Sequence, residues 1–72
     1  MNAAKLVAMA NQIGDFFAAQ PDRRQAAEGV ASHLRRFWEP RMRAELLAHT
    51  AGGGAQELSP LVREAVEMLR KG

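Results

Sequence analysis

The sequence contains no cysteine and no tyrosine, and its aromatic residues are three phenylalanines and one tryptophan. Without cysteine, the chain has neither disulfides nor thiolate ligands for a metal or an iron–sulfur cluster. No apolar run approaches the roughly 20 residues that a membrane-spanning helix needs, and the N-terminus lacks the pattern of a secretory signal peptide. These absences predict a soluble, unprocessed protein of the reducing cytoplasm.

Strand-like alternation and internal repeats are also missing, and apolar residues recur instead at helical spacing. A chain of 72 residues forms one small domain, which buries only about 60% of its unfolded surface and is marginally stable alone. We therefore predict an all-α fold, a small bundle of three to four short helices that forms a single domain over residues 1–72. Such a domain gains stability from a partner or from self-association.

Prolines and capping residues divide the chain into its predicted helices. Asn2, Asp22 and Ser59 precede three of them and can accept their first free N–H groups. Pro21 ends the first helix, because proline disfavours the helical conformation in the residue before it. The helices are predicted over about residues 3–19, 22–38, 40–49 and 60–71.

Each of these helices carries an apolar face, and that of the third comprises Met42, Leu46 and Leu47. The face of the first helix comprises Leu6, Met9, Ala10, Ile13, Phe16 and Phe17. The face of the second comprises Ala26, Ala27, Val30, Leu34 and Phe37. The fourth helix has a wider apolar arc than one packing partner requires, which predicts burial against a partner or a second copy.

A glycine triplet separates the third and fourth helices. Glycine has high entropy in the unfolded chain and no side chain to pack, so residues 50–57 are predicted to form a flexible loop that lets the last helix move independently. No Gly-Lys-Ser/Thr follows the triplet and no strand precedes it, which argues against a phosphate-binding loop.

A functional surface is expected in the segment from His33 to Arg43. This segment holds the only tryptophan and four of the ten Lys/Arg residues, and with one glutamate it carries a local charge of 4 − 1 = +3. Aromatic and arginine side chains are the usual anchors of protein interfaces. The predicted partner-binding residues are His33, Arg35, Arg36, Phe37, Trp38, Pro40, Arg41, Met42 and Arg43.

Catalytic and metal chemistry find little support in the sequence. Four short helices offer little cleft for a convergent set of catalytic residues. Glu45 and His49 lie four residues apart and could share a metal, but two ligands do not make a site. We predict no catalytic, cofactor-binding or metal-binding residue in this chain.

Nucleic-acid binding is a competing interpretation. The arginines of the functional segment form a basic corner at a joint that resembles a helix-turn-helix. The third helix, however, presents Met42, Leu46 and Leu47 rather than side chains that read base edges. A net charge of only +2 also provides little non-specific affinity for DNA.

Three stretches together resemble a known family. They are Met9–Phe17, Val30–Arg43 and Leu58–Val62, and the Phe-Trp-Glu-Pro-Arg-Met-Arg run in the second is the most specific. The resemblance, which extends from about Met9 to Leu69, is to the delta subunit of bacterial NAD-dependent formate dehydrogenases that contain molybdenum or tungsten. The family commonly has Asp where Glu39 stands, a difference that affects helix capping more than recognition.

The resemblance implies a non-catalytic accessory subunit of a cytoplasmic complex. In that family the alpha subunit carries molybdopterin and iron–sulfur clusters, while the beta and gamma subunits carry flavin and further clusters for NAD reduction. The delta subunit is associated with assembly or stability of the holoenzyme and holds no known cofactor. A free-standing, homo-oligomeric helical adaptor remains an alternative to this accessory role.

In the accessory role, the side chains of the segment are expected to divide between the contact itself, its edge and the corner between two helices. The contact with the alpha subunit is assigned to Trp38, Arg41 and Arg43. Phe37, packed in the core, and Met42 are expected to shape the corner. His33, Arg35 and Arg36 are placed at the edge of the contact.

Overall fold

The computed structural model describes residues 2–72 and shows four α-helices in this range, with no strand. The predicted all-α fold class is therefore confirmed. The helices are α1 (Ala3–Phe17), α2 (Arg23–Phe37), α3 (Pro40–His49) and α4 (Pro60–Lys71). Helix α2 lies against both α1 and α4, and α3 packs on α1. None of the helices is long and apolar enough to cross a membrane within this range.

Side-chain caps start three of the helices. Asn2 accepts the backbone N–H of Lys5 at 2.8 Å, and Asp22 accepts that of Gln25 at 3.0 Å. Ser59 caps α4 by accepting, through its hydroxyl oxygen, the backbone N–H of the third residue of that helix at 3.3 Å. Each bond satisfies a donor that the helix itself leaves free. Helix α1 ends at Phe17, two residues before the predicted end.

The core lies where the four helices meet. The side chains of Leu6, Val30, Leu34, Leu46, Val62 and Val66 are the largest that are fully buried. The apolar arc of α4 belongs to this core, because Leu61, Val62, Ala65 and Val66 are all buried within the chain. The expected burial of that arc against a partner or a second copy is therefore wrong for these four residues.

Residues 50–57, predicted as a flexible loop, form two short helical turns. Thr50–Gly54 forms a π-helical turn that is kinked at Gly53, and Ala55–Glu57 forms a 3-10 turn. Gly53 has φ of +105°, a conformation that residues with a Cβ rarely adopt. Side chains hold the segment: His49 hydrogen-bonds Glu57 at 3.1 Å, and Arg70 donates to the Thr50 hydroxyl at 2.8 Å.

Asn11 connects α1 to the start of α4, a contact that sequence periodicity does not reveal. Its amide nitrogen donates to the carbonyl of Glu57 at 3.1 Å, and its amide oxygen accepts the N–H of Ser59 at 2.9 Å. These bonds span nearly fifty residues of sequence. They place the N-terminus of α4 beside α1, where Gly14 meets Val62.

Candidate functional site

The two aromatic residues at the end of α2 have environments opposite to those predicted. Phe37 is 70% exposed, whereas Trp38 is only 6% exposed and belongs to the core. The helix ends at Trp38, whose extended backbone (φ −83°, ψ 142°) turns its side chain back over the bundle. Phe37 extends the apolar face of α2 beyond the helices that cover it. The assignment of Phe37 to the core is therefore wrong, and the predicted partner contact of Trp38 is left with only the small surface that this residue exposes.

Arg43 is engaged inside the molecule. Its Nη1 donates to the carbonyl oxygens of Leu34, Arg35 and Trp38, at 3.2, 3.0 and 2.6 Å. These carbonyls lie at the C-terminus of α2, where the helix leaves its last acceptors unpaired and a cation is favourable. The half-buried Arg43 thus joins α3 to α2, and its contact with a partner stays a prediction.

Other members of the predicted set remain at the surface. Arg35, Arg36 and Arg41 are exposed, and none has a carboxylate partner among the described residues. The half-buried His33 packs its ring against Phe37, with ring centroids 4.9 Å apart.

The remaining two positions belong to α3. Pro40 occupies the start of that helix and is exposed. Met42 packs partly against the core, as expected of a residue that shapes the corner. The predicted segment therefore divides into a structural half and a solvent-facing half.

An apolar groove of about 500 Å³ opens between α1 and α2. Its walls are mostly apolar, and Gln12 and His33 supply the polar groups. Trp38 contributes the little surface it exposes. The groove is lined by Met9, Gln12, Ile13, Phe16, Phe17, His33 and Trp38. We refer to this site as the α1/α2 groove.

Exposed apolar side chains border the α1/α2 groove. Phe16 is 77% and Met9 is 36% exposed. The Phe16 ring meets that of Phe17 edge to face, with centroids 5.2 Å apart, and Phe17 in turn packs on Gly29 of α2. Because Phe37 contacts His33, the apolar surface continues from the groove onto the end of α2. Exposed apolar patches of this kind commonly mark interaction sites.

The spacing of apolar residues in the sequence predicts that the α1 side of this groove belongs to the core. Met9, Ile13, Phe16 and Phe17 share the apolar face of α1, and periodicity alone cannot show how much of a face is covered. The available clue was its width: two adjacent phenylalanines at the end of a helix extend the stripe beyond what one neighbouring helix covers.

Comparison with known proteins identifies the family. The sequence profile of the NADH-dependent formate dehydrogenase delta subunit, FdsD, matches residues 5–66. The chain belongs to the delta subunit family of NADH-dependent formate dehydrogenases. No curated protein and no solved structure matches the chain. The matched range contains the α1/α2 groove and all nine predicted partner-binding residues of this delta subunit.

The acidic and histidine side chains of this delta subunit do not form a metal-binding group. No cluster of three or more His, Cys, Asp or Glu residues is present within residues 2–72. His49 bonds Glu57 rather than Glu45, which lies four residues before it. In the same range, Oε2 of Glu45 is buried without a hydrogen-bond partner.

Proposed function

We propose that this chain is a non-catalytic accessory subunit of a cytoplasmic NAD-dependent formate dehydrogenase. In this proposal it binds the catalytic alpha subunit, within a complex that also holds the beta and gamma subunits, and supports assembly or stability of the holoenzyme. The family match over residues 5–66 is the observation that carries the proposal.

The exposed aromatic residues support a role in protein binding. Phe16 and Phe37 are both more than two-thirds exposed, although burial of such a side chain is worth roughly 1.5–3 kcal/mol. Arg35, Arg36 and Arg41, which lie near Phe37 in the sequence, have no carboxylate partner within residues 2–72. Aromatic and arginine side chains are enriched where protein interfaces have their strongest contacts.

The cofactors of the complex are assigned to its other subunits. Molybdopterin with molybdenum or tungsten, iron–sulfur clusters, flavin and NAD would all be bound outside this chain. The sequence contains no cysteine, the usual ligand of iron–sulfur clusters. Formate oxidation would accordingly proceed without a catalytic group from this subunit.

Affinity purification tests this proposal. The tagged chain is recovered from native cells, the co-purifying proteins are identified by mass, and formate-dependent NAD reduction is measured on the eluate. We expect a large molybdoenzyme and formate-dependent activity. Recovery of the chain alone, as a dimer or larger assembly, would support the homo-oligomeric adaptor instead.

Substitution of the exposed aromatic residues tests the docking role. Phe16→Ala and Phe37→Ala are each expected to weaken binding to the enzyme at least tenfold, because each removes exposed contact area from the interface. Gln56→Ala, at an exposed position outside the groove, serves as the control. Unchanged affinity in both phenylalanine variants would contradict the assignment of these rings to the interface.

A further inference from the structure

Two cations flank the α1/α2 groove, and no acidic residue lines it. Lys5 lies four residues before Met9 on α1, and Arg36 lies three residues after His33 on α2. Residues three or four apart share a helix face, so each cation lies beside a residue of the groove wall. Both side chains are exposed and have no carboxylate partner within residues 2–72.

Glu28 is engaged with Arg24 at 3.3 Å. Asp15 lies three residues after Gln12, so by the same rule this exposed acid also lies beside the groove wall. The groove therefore combines an apolar floor with two positive charges and one negative charge at its edges, and the net positive charge favours an occupant with carboxylates.

The shape of the surface indicates a protein segment rather than a small ligand. A compound enclosed within about 500 Å³ would leave the exposed Phe37 in water, because this ring extends the apolar surface to the outside of the groove. A segment of chain can cover the groove and this ring together. An amphipathic helix that lays its apolar face into such a groove is a recurring mode of recognition.

We infer that the α1/α2 groove binds an amphipathic, acid-flanked segment of the catalytic subunit. Apolar side chains of that segment enter between α1 and α2, and its Asp or Glu residues meet Lys5 and Arg36. This inference rests on the proposed function and adds which surface docks and what chemistry it recognises. It moves the contact away from Arg43, which bonds backbone carbonyls within the chain, and Trp38 takes part only through the small surface that it exposes in the groove.

Charge reversal at the groove edge tests the inference. The full chain is titrated with formate dehydrogenase purified without this subunit, and Kd is measured at low and high salt. The Lys5→Glu/Arg36→Glu chain is expected to bind about tenfold more weakly at low salt, since each exposed pair contributes modestly and its reversal adds repulsion. The difference should shrink as salt screens the charges.

A matched control makes the same change in net charge elsewhere. Arg63→Glu/Lys71→Glu reverses two exposed charges of α4, neither of which lines the groove. This variant should bind as the unmodified chain does, and circular dichroism verifies that both variants keep their helix content. Equal affinities for the two double variants would overturn the inference.

Zero-length cross-linking identifies the carboxylate of the catalytic subunit that Lys5 contacts. The chain has only two lysines, Lys5 and Lys71, and a carbodiimide couples a lysine amine only to a carboxylate in contact with it. In the complex, Lys5 should be joined to an Asp or Glu of the catalytic subunit, within a segment that also carries apolar residues. A complex that forms without any Lys5 cross-link to an acid would overturn the inference.

The outcomes separate this inference from the proposed function. If the unmodified chain binds the enzyme and the groove variants bind equally well, the groove assignment is wrong and the accessory role stands. If the unmodified chain does not bind, the accessory role is wrong. If the isolated chain sediments as a dimer that Arg36→Glu dissociates, the groove belongs to a second copy and the inference is overturned.

Discussion

At the scale of single residues, Arg43 determines how α2 turns into α3. One guanidinium nitrogen reaches three carbonyl oxygens at the end of α2, and of these only the Leu34 carbonyl also accepts a backbone N–H, that of Trp38. Hydrogen bonds that involve a charged group contribute about 1.5–3 kcal/mol. The corner is therefore held by a side chain from the following helix.

We expect Arg43→Met to lower the free energy of unfolding by about 1–2 kcal/mol, because the change keeps the apolar stem and removes the hydrogen bonds. Urea denaturation followed by circular dichroism measures the loss. The exposed Arg41 provides the comparison, since Arg41→Met should change stability by no more than about 0.5 kcal/mol. Equal effects at the two positions would contradict the capping role of Arg43.

The neighbouring pair Phe37 and Trp38 is expected to respond to truncation in opposite ways. Trp38→Ala should remove about 3–5 kcal/mol of stability, which is close to all that a domain of this size possesses. Phe37→Ala should alter stability by no more than about 0.5 kcal/mol, because its ring is in water. Thermal melts of the isolated chain distinguish them, and a lower melting temperature for Phe37→Ala than for Trp38→Ala would refute the assignment.

The positions of these two rings show where residue spacing stops being informative. Phe37 continues the spacing of Val30 and Leu34, both fully buried, yet it lies in solvent. Its exposure depends on where the neighbouring helices end, which is a property of tertiary packing. Trp38 is buried because the chain leaves the helix at that residue, and Pro40 predicts the break without predicting the direction of the side chain.

At the scale of helices, α1 and α4 pack tightly against each other at Gly14. A Cβ on this residue would lie 2.5 Å from Cγ2 of Val62, which is fully buried and has little room to move. Glycine within a helix lowers stability by about 1 kcal/mol relative to alanine. The tight contact between the helices explains why this position carries glycine.

Gly14→Ala is expected to destabilise the fold despite its better helix propensity, because overpacking a core costs typically about 1–3 kcal/mol. In a Val62→Ala background the clash is absent, so the same substitution should become neutral or stabilising. A double-mutant cycle measured by urea denaturation reports this coupling. Gly52→Ala, where a Cβ meets no atom within 4 Å, is the control.

The turn between α3 and α4 was the element least predictable from sequence. Three consecutive glycines predict a flexible loop, but side chains outside the triplet make the hydrogen bonds that hold its conformation. His49 bonds Glu57, and Arg70 reaches Thr50 from the far end of α4. Interactions across twenty residues leave no local pattern, whereas helix starts at Asp22 and Ser59 depend on bonds only three residues apart and were predictable.

At the scale of the whole molecule, a 72-residue domain has little stability in reserve. A partner that binds only the folded chain adds stability by mass action, about 2.7 kcal/mol when its concentration is 100 times Kd. If formate dehydrogenase is that partner, the unfolded fraction of the chain falls about a hundredfold.

Trypsin digestion provides the measurement of this linkage. Cleavage that proceeds through the unfolded chain should slow about a hundredfold when the enzyme is present at 100 times Kd. An unrelated protein at the same concentration controls for competition for the protease. Equal digestion rates in the two mixtures would show that the enzyme does not bind the folded chain.

The single tryptophan gives this molecule an optical reporter. No second tryptophan and no tyrosine absorbs or emits beside it, and its ring is 6% exposed at the floor of the α1/α2 groove. Fluorescence from the free chain should therefore be centred at a shorter wavelength than that of indole in water. Unfolding should shift the emission to the red, and a peptide in the groove should shift it to the blue.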